Sequence, residues 1–139
     1  MTTIVADAHA GIMVSDSQWT DGHVIGSTRK VWRIRGNLVG FAGDIDAIGR
    51  TLAWFRGGFD GQPPGGNCLA LILRRVGIFT WTAEDGELRE AAPFFAIGTG
   101  GQAARAAMLA GTDARRAVRI ASTIDPGTGG RVRAYRLER

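Results

Sequence analysis

The sequence predicts an α+β fold in which two antiparallel sheets stack face to face between outer helices, a four-layer αββα sandwich. The first reason is the order of segments, because strand-like stretches come before, between and after helix-like ones. The second reason is that two of the helix-like segments repeat apolar residues along one face, as helices that cover a sheet do. A single domain over residues 1–139 accommodates all of these segments.

The first half of the chain is predicted to be strands followed by one helix. The predicted strands are TTIVA, GIMVSD, RKVWRIR and NLVGFAG. The last two enclose Gly36-Asn37, which is typical of a hairpin turn, and SQWTDGHVIGST is predicted to be a long loop. A helix then begins at an Asp44 cap and ends at Gly57-Gly58.

The second half begins with the loop FDGQPPGGN and returns to strands. These predicted strands are CLALILRR, VGIFTWTA, ELREAA and FFAIG. Two helices follow the segment GTGG: QAARAAMLA, which ends at Gly111, and DARRAVRIASTI, which we expect Thr112 to cap. RVRAYRLER is predicted to be a final edge strand.

Composition indicates an ordinary globular protein, with 45% hydrophobic and 22% charged residues. No apolar run reaches the roughly 18 residues of a membrane span, and no signal peptide is recognised, so we expect a cytoplasmic protein. The single cysteine, Cys68, is predicted to be a small buried side chain. His9 and His23 lack the spacing of metal ligands, and we expect neither a metal nor a cofactor.

The net charge of +4 raises nucleic acid as a partner. The basic residues are dispersed, however, and the basic, aromatic-rich strands of an RNA-binding sheet are absent, so nucleic acid is not expected. Among 17 basic residues only Lys30 is lysine. This choice suggests a chemical role for its amine, with chance as the alternative.

Six short pieces of sequence carry a family resemblance. They are TTIV at the start, VSD ending at Asp16, Lys30, GFAG around Gly43, GTGG at 98–101 and DPGTGG at 125–130. In this order they are similar to the signature positions of the proteasome β-subunit family, in particular its HslV-like threonine peptidases. The resemblance covers residues 2–130 and implies an N-terminal nucleophile (Ntn) hydrolase fold.

The resemblance implies that Thr2 is the nucleophile once Met1 is removed. A threonine hydroxyl needs a base, and a free N-terminal amine has an ordinary pKa of about 7.7 to 8.0, which suits that role. The first strand begins directly behind Met1, as expected if the terminus itself is functional. Lys30 would favour the neutral amine and the developing alkoxide, Asp16 would hold Lys30, and Gly43 would donate its backbone N–H to the oxyanion.

The resemblance also implies that Thr99, Asp125 and Thr128 support Thr2, at positions where the family carries serine, aspartate and serine. The pocket for the residue before the cleaved bond is predicted to be apolar and unsuited to acidic side chains. Its predicted lining is Trp19, Thr28, Trp32 and Phe41. A structural role stays the alternative for each of these residues: a solvated lysine, a turn aspartate, helix-start glycines or packed tryptophans.

Three functions remain open from the sequence. The first is a threonine endopeptidase that cuts peptides or unfolded proteins and assembles into a homo-oligomeric ring, the second an Ntn amidohydrolase of a small amide, and the third an inactive, self-assembling scaffold. The family has two long helices between the early and late strands, and this sequence has one. Ring assembly and an ATP-dependent unfoldase partner are therefore the properties for which the resemblance gives least support.

Overall fold

The computed structural model describes residues 2–138. The strands are β1 (Ile4–Asp7), β2 (Ile12–Ser15), β3 (Gln18–Asp21), β4 (Val24–Ser27), β5 (Val31–Ile34), β6 (Asn37–Gly43), β7 (Cys68–Arg74), β8 (Gly77–Thr82), β9 (Gly86–Glu90), β10 (Phe94–Ile97) and β11 (Arg133–Arg136). The helices are α1 (Ile45–Arg56), α2 (Gly101–Leu109) and α3 (Ala114–Ile124). In this part of the chain no helix combines the length and apolar character needed to cross a membrane.

Two antiparallel sheets form the centre of the molecule. One has the strand order β10-β1-β2-β11, and the other has the order β5-β6-β7-β8-β9. Their facing sides share one apolar cluster, in which Ile4 and Met13 of the first sheet pack with Leu38 and Leu71 of the second. All four side chains are fully buried, so this layer is the main core between the sheets.

The outer faces of the sheets are covered by helices, because alternate residues of a strand point to opposite sides. Val5 and Val14 pack against a cluster of alanines on α2 and α3, where small side chains allow close approach. On the other side α1 packs on the five-stranded sheet, and Phe55 meets Phe41 edge-to-face at 5.4 Å. The predicted αββα order is confirmed, and α1 is the one helix within residues 44–67.

The prediction of a long loop at SQWTDGHVIGST is wrong, because these residues form the hairpin β3–β4. Its register pairs Trp19 with Gly26, and the absence of a side chain at Gly26 leaves the space that the indole occupies. The hairpin forms a separate two-stranded unit, and its Val24 and Ile25 are exposed. It therefore lacks the alternation of buried and exposed residues by which a strand is recognised.

The predicted hairpin turn at Gly36-Asn37 is shifted by one residue. Ile34 pairs with Asn37, so the two-residue turn is Arg35-Gly36. Both turn residues have positive φ, 53° and 80°, as a type I′ turn requires.

The predicted cap of α3 is also corrected. Asp113, and not Thr112, is the N-cap residue, and its side chain accepts a hydrogen bond from the Arg116 N–H at 2.8 Å. Asp44 does occupy the N-cap position of α1, but its side chain makes no capping hydrogen bond within the described chain. The Asp44 carboxylate is therefore available to the cavity beside it.

Candidate active site

Thr2 precedes β1 and lines a cavity of about 810 Å³ whose walls come from β3, residues 28–32, the end of β6 and the start of α1. The Thr2 N–H donates to Thr99 Oγ1 at 3.3 Å, and the Thr2 carbonyl accepts from the Gly100 N–H at 3.2 Å. Gly98 has φ 95°, and a Cβ there would overlap the Thr2 carbonyl. Gly98 is therefore needed to bring this loop against Thr2.

Lys30 and Asp16 form a buried ion pair in the same region. Lys30 Nζ donates to both oxygens of Asp16, at 2.9 and 3.0 Å, and Lys30 lines the cavity together with Thr2. Asp16 also accepts the backbone N–H groups of Thr3 and Gly129, each at 3.1 Å. Burial lowers the pKa of Lys30, and the charge and hydrogen bonds of Asp16 oppose that shift. The ammonium at the wall of this cavity is thus held by a carboxylate that the main chain fixes.

Asp125 organises a second group of hydrogen bonds next to Thr2. Its Oδ2 accepts from Thr99 Oγ1 at 2.5 Å and from Thr128 Oγ1 at 2.7 Å, and its Oδ1 accepts from the Gly127 N–H at 3.1 Å. Burial alone would raise the pKa of Asp125, but these hydrogen bonds outweigh it and the pKa lies below its ordinary value. Since the single hydroxyl proton of Thr99 goes to Asp125, Thr99 acts as the acceptor for the Thr2 nitrogen.

Gly43 and all four predicted pocket residues line the same cavity as Thr2. The four pocket residues are Trp19, Thr28, Trp32 and Phe41. Gly43 has φ 139°, and a Cβ at this position would overlap the backbone carbonyl of Asn67. The end of β6 therefore requires glycine where the chain passes the cavity. The candidate nucleophile Thr2, the cation Lys30 and the predicted pocket residues therefore line one concave site.

Comparison with known proteins identifies the fold. No protein-family model and no curated protein matches the sequence. The chain is similar to the crystal structure of eukaryotic HslV from Trypanosoma brucei, with a TM-score of 0.74 and 24% identity over 99% of this chain and 100% of that one. The chain has the fold of HslV. It is also similar to Thiobacillus denitrificans BPH (TM-score 0.72, 19% identity, 99% and 98% of the two chains) and to BPH in complex with epoxomicin (0.68, 20%, 99% of each).

The HslV fold brings the predicted site residues together from distant parts of the sequence. Thr99 contacts Thr2 directly, whereas Thr128 contacts Thr3 and Asp125. Two partners of Asp16, the N–H groups of Thr3 and Gly129, are not predicted from the sequence. Both contacts use backbone N–H groups, which every residue except proline has, so the residue type does not indicate them. Nothing in the sequence distinguishes Thr3 except that it follows Thr2.

Charged side chains at the cavity wall were also missed. Three carboxylates and one guanidinium line it: Asp21, Asp44, Asp46 and Arg29. The guanidinium carbon of Arg29 lies 4.9 Å from the ring centroid of Trp32, a cation–π contact. Asp44 and Asp46 lie at the start of α1, where the helix dipole favours acidic residues. This helix-start role explains both residues in the sequence and gives no sign that they also line a cavity.

Metal ligation finds no support among residues 2–138, where no group of three or more His, Cys, Asp or Glu side chains is placed to hold an ion. His9 and His23 are exposed. Cys68 is buried, as predicted, and burial raises the pKa of its thiol, which a hydrogen bond with Thr51 partly offsets.

The lowered pKa of Asp125 predicts how stability depends on pH. Because the folded pKa lies below the unfolded value of about 3.9, Asp125 stabilises the fold above pH ~4 and loses this contribution as pH falls through the folded pKa. The difference in free energy of unfolding between wild type and Asp125→Asn should shrink over that window. Urea titrations from pH 2 to 7 would measure it, with the exposed loop variant Asp60→Asn as control. A pH-independent difference for Asp125→Asn would contradict the prediction.

Proposed function

We propose that this protein is an N-terminal threonine endopeptidase of the proteasome and HslV type, active after removal of Met1. The observation that carries the proposal is that two networks meet around Thr2: Thr99, which is bonded to Asp125, accepts from the Thr2 nitrogen, and Lys30, which is paired with Asp16, lines the same cavity as Thr2. The HslV fold of the whole chain supports it. So does the epoxomicin complex of BPH, a protein of the same fold.

Under this proposal each part of an acyl transfer is assigned to a residue of the site. The free amine of Thr2 takes the proton of its own hydroxyl, and Oγ1 attacks the carbonyl carbon of the substrate. Because Thr99 gives its proton to Asp125, it accepts from the resulting ammonium and leaves the lone pair of the neutral amine free. Lys30 favours the neutral amine, and the backbone N–H of Gly43 receives the oxyanion.

Collapse of the tetrahedral intermediate completes the first half of the reaction. The C–N bond of the peptide breaks as the Thr2 ammonium returns its proton to the leaving nitrogen, and an ester to Thr2 Oγ1 remains. Water, activated by the same amine, hydrolyses this ester and restores the hydroxyl. While Met1 is attached, the Thr2 nitrogen is an amide without basic character, so loss of Met1 is the activating step.

The first test is the intact mass and N-terminal residue of the purified protein. We expect a chain that begins at Thr2, that cleaves fluorogenic peptides, and that gains the mass of one epoxomicin molecule on incubation. A chain beginning at Thr2 that does neither would overturn the proposal. Retention of Met1 in native protein would favour the inactive scaffold instead.

The assembly and cellular context follow from the same proposal. We propose a cytoplasmic homo-oligomeric ring that degrades peptides or unfolded proteins, since an enclosed site protects other proteins from cleavage. Docking of an ATP-dependent unfoldase onto that ring rests on the resemblance alone. Light scattering of the purified protein, with and without its Met1, tests the ring independently of catalysis.

The charges at the cavity wall predict poor cleavage after acidic residues. Asp21, Asp44 and Asp46 line the cavity together with apolar walls such as Trp19 and Phe41. We expect kcat/KM for a peptide with glutamate before the cleaved bond to be lower, by about tenfold or ~1.4 kcal/mol, than for one with leucine or arginine. Matched tripeptide substrates measure this, and Asp46→Asn should narrow the gap. Equal kcat/KM for the three peptides would contradict the prediction.

A further inference from the structure

Thr3 lies between the two hydrogen-bond networks of the site. It is completely buried, and its N–H donates to Asp16 Oδ1 at 3.1 Å while its carbonyl accepts the Asp16 N–H at 3.2 Å. Its hydroxyl lies 2.7 Å from the hydroxyl of Thr128. One residue therefore contacts the carboxylate that holds Lys30 and the threonine that holds Asp125.

We infer that Thr3 is a positioning residue, whose hydroxyl and main chain couple the Lys30–Asp16 pair to the Asp125 network so that both act together on Thr2. The inference rests on the proposed function for its effect on catalysis. The coupling itself is a property of the hydrogen-bond network and can be measured without turnover.

The direction of the hydrogen bonds can be deduced from the number of protons available. Asp125 in its ionised form only accepts, so the single hydroxyl proton of Thr128 is given to Asp125 at 2.7 Å. In the pair with Thr128, Thr3 must therefore be the donor. A donor to Thr128 polarises its hydroxyl and strengthens the bond that Thr128 gives to Asp125.

The fold leaves room for this hydroxyl pair. A Cβ at Gly100, the N-cap of α2, would overlap Thr3 Oγ1 and would lie 2.9 Å from Thr128 Oγ1. The same glycine donates its N–H to the Thr2 carbonyl. The threonine pair and the main chain of Thr2 therefore both lie against Gly100 at the start of α2.

Removal of the Thr3 hydroxyl should weaken the hold on Asp125 while the cavity stays intact. The charged groups around this network are Lys30, which feels the charge of Asp125, its partner Asp16 and, once Met1 is removed, the Thr2 amine bonded to Thr99. In Thr3→Val we expect kcat to fall about tenfold with KM unchanged, because the base is misplaced while the pocket remains. The pKa of Asp125 should rise towards its ordinary value, and Thr3→Ser should restore both properties.

The experiment compares wild type, Thr3→Val, Thr3→Ser and the matched control Thr51→Val. Thr51 is another fully buried threonine, and its hydroxyl donates to the Ala47 carbonyl in α1. Peptide kinetics give kcat and KM, and carboxyl-carbon NMR titration gives the pKa of Asp125. A lowered kcat with a raised Asp125 pKa in Thr3→Val alone is the expected result.

Two results would overturn the inference: an unchanged pKa of Asp125 in Thr3→Val, or the same changes in Thr51→Val. If Thr3→Val does not fold, Thr3→Cys keeps the size of the side chain with a weaker donor, and an unchanged Asp125 pKa in that variant would overturn it equally. Wild-type protein that begins at Thr2 and cleaves no peptide would refute the proposed function, and the NMR titration would still decide the role of Thr3.

Discussion

Replacement of Thr2 by alanine is expected to abolish peptide turnover, a loss of ~10³-fold or more, and to leave the fold intact. Under the proposed function the reaction loses its nucleophilic oxygen, and a free water molecule does not replace an atom that is covalently held beside its base. The fold should survive because the hydrogen bonds that hold Thr2 use its main-chain nitrogen and carbonyl, which alanine retains.

Peptide kinetics together with urea unfolding separate these two effects. Thr20→Ala is the matched control, since Thr20 lines the same cavity and has no part in the proposed chemistry. We expect its kcat to stay within about threefold of wild type, and Thr2→Ser to retain activity. Turnover by Thr2→Ala above about a tenth of the wild-type rate would assign the chemistry to another residue.

Lys30→Arg is expected to reduce kcat by about 10²-fold or more, although the charge is retained. Lys30 is 7% exposed, and its ammonium contacts both oxygens of Asp16 at the wall of the cavity that Thr2 also lines. The guanidinium of arginine is larger and planar, so it does not place a compact charge at the same point. Arginine also keeps its proton under all conditions, whereas burial lowers the pKa of Lys30.

The converse exchange Arg29→Lys is the control for this variant. Arg29 precedes Lys30 in the chain, lines the same cavity and stacks on Trp32. We expect Arg29→Lys to alter kcat only a few-fold, since its guanidinium is not paired with Asp16. A wild-type value of kcat in Lys30→Arg would refute the proposal that catalysis requires the compact charge of a lysine ammonium at this position.

The sequence predicted the layers of the fold better than the local details. Helix α1 and the buried strands were recognised because their apolar residues repeat with a clear period. The hairpin β3–β4 was missed because Val24 and Ile25 are exposed, and the turn at Arg35-Gly36 because a positive φ at an arginine has no signal in the sequence.

The candidate site was accessible from the sequence only in part. Thr2 and Lys30 stood out by chemistry, as a terminal hydroxyl and a lone lysine, whereas their association with Asp16 came from the family resemblance. The contact between the Gly129 N–H and Asp16 spans 113 positions and involves no side chain of Gly129. Only the packing of the loop at 125–130 against the sheet defines such a contact.

The anchoring of Thr2 through its backbone has a consequence for how latency would work. The Thr2 nitrogen donates to Thr99 and the Thr2 carbonyl accepts from Gly100, and neither bond depends on whether that nitrogen is an amide or an amine. Under the proposed function the precursor is thus already folded around its future nucleophile. The precursor is inactive because of one peptide bond, between Met1 and Thr2, and not because its conformation differs. Maturation under this proposal requires cleavage of that bond and no conformational change.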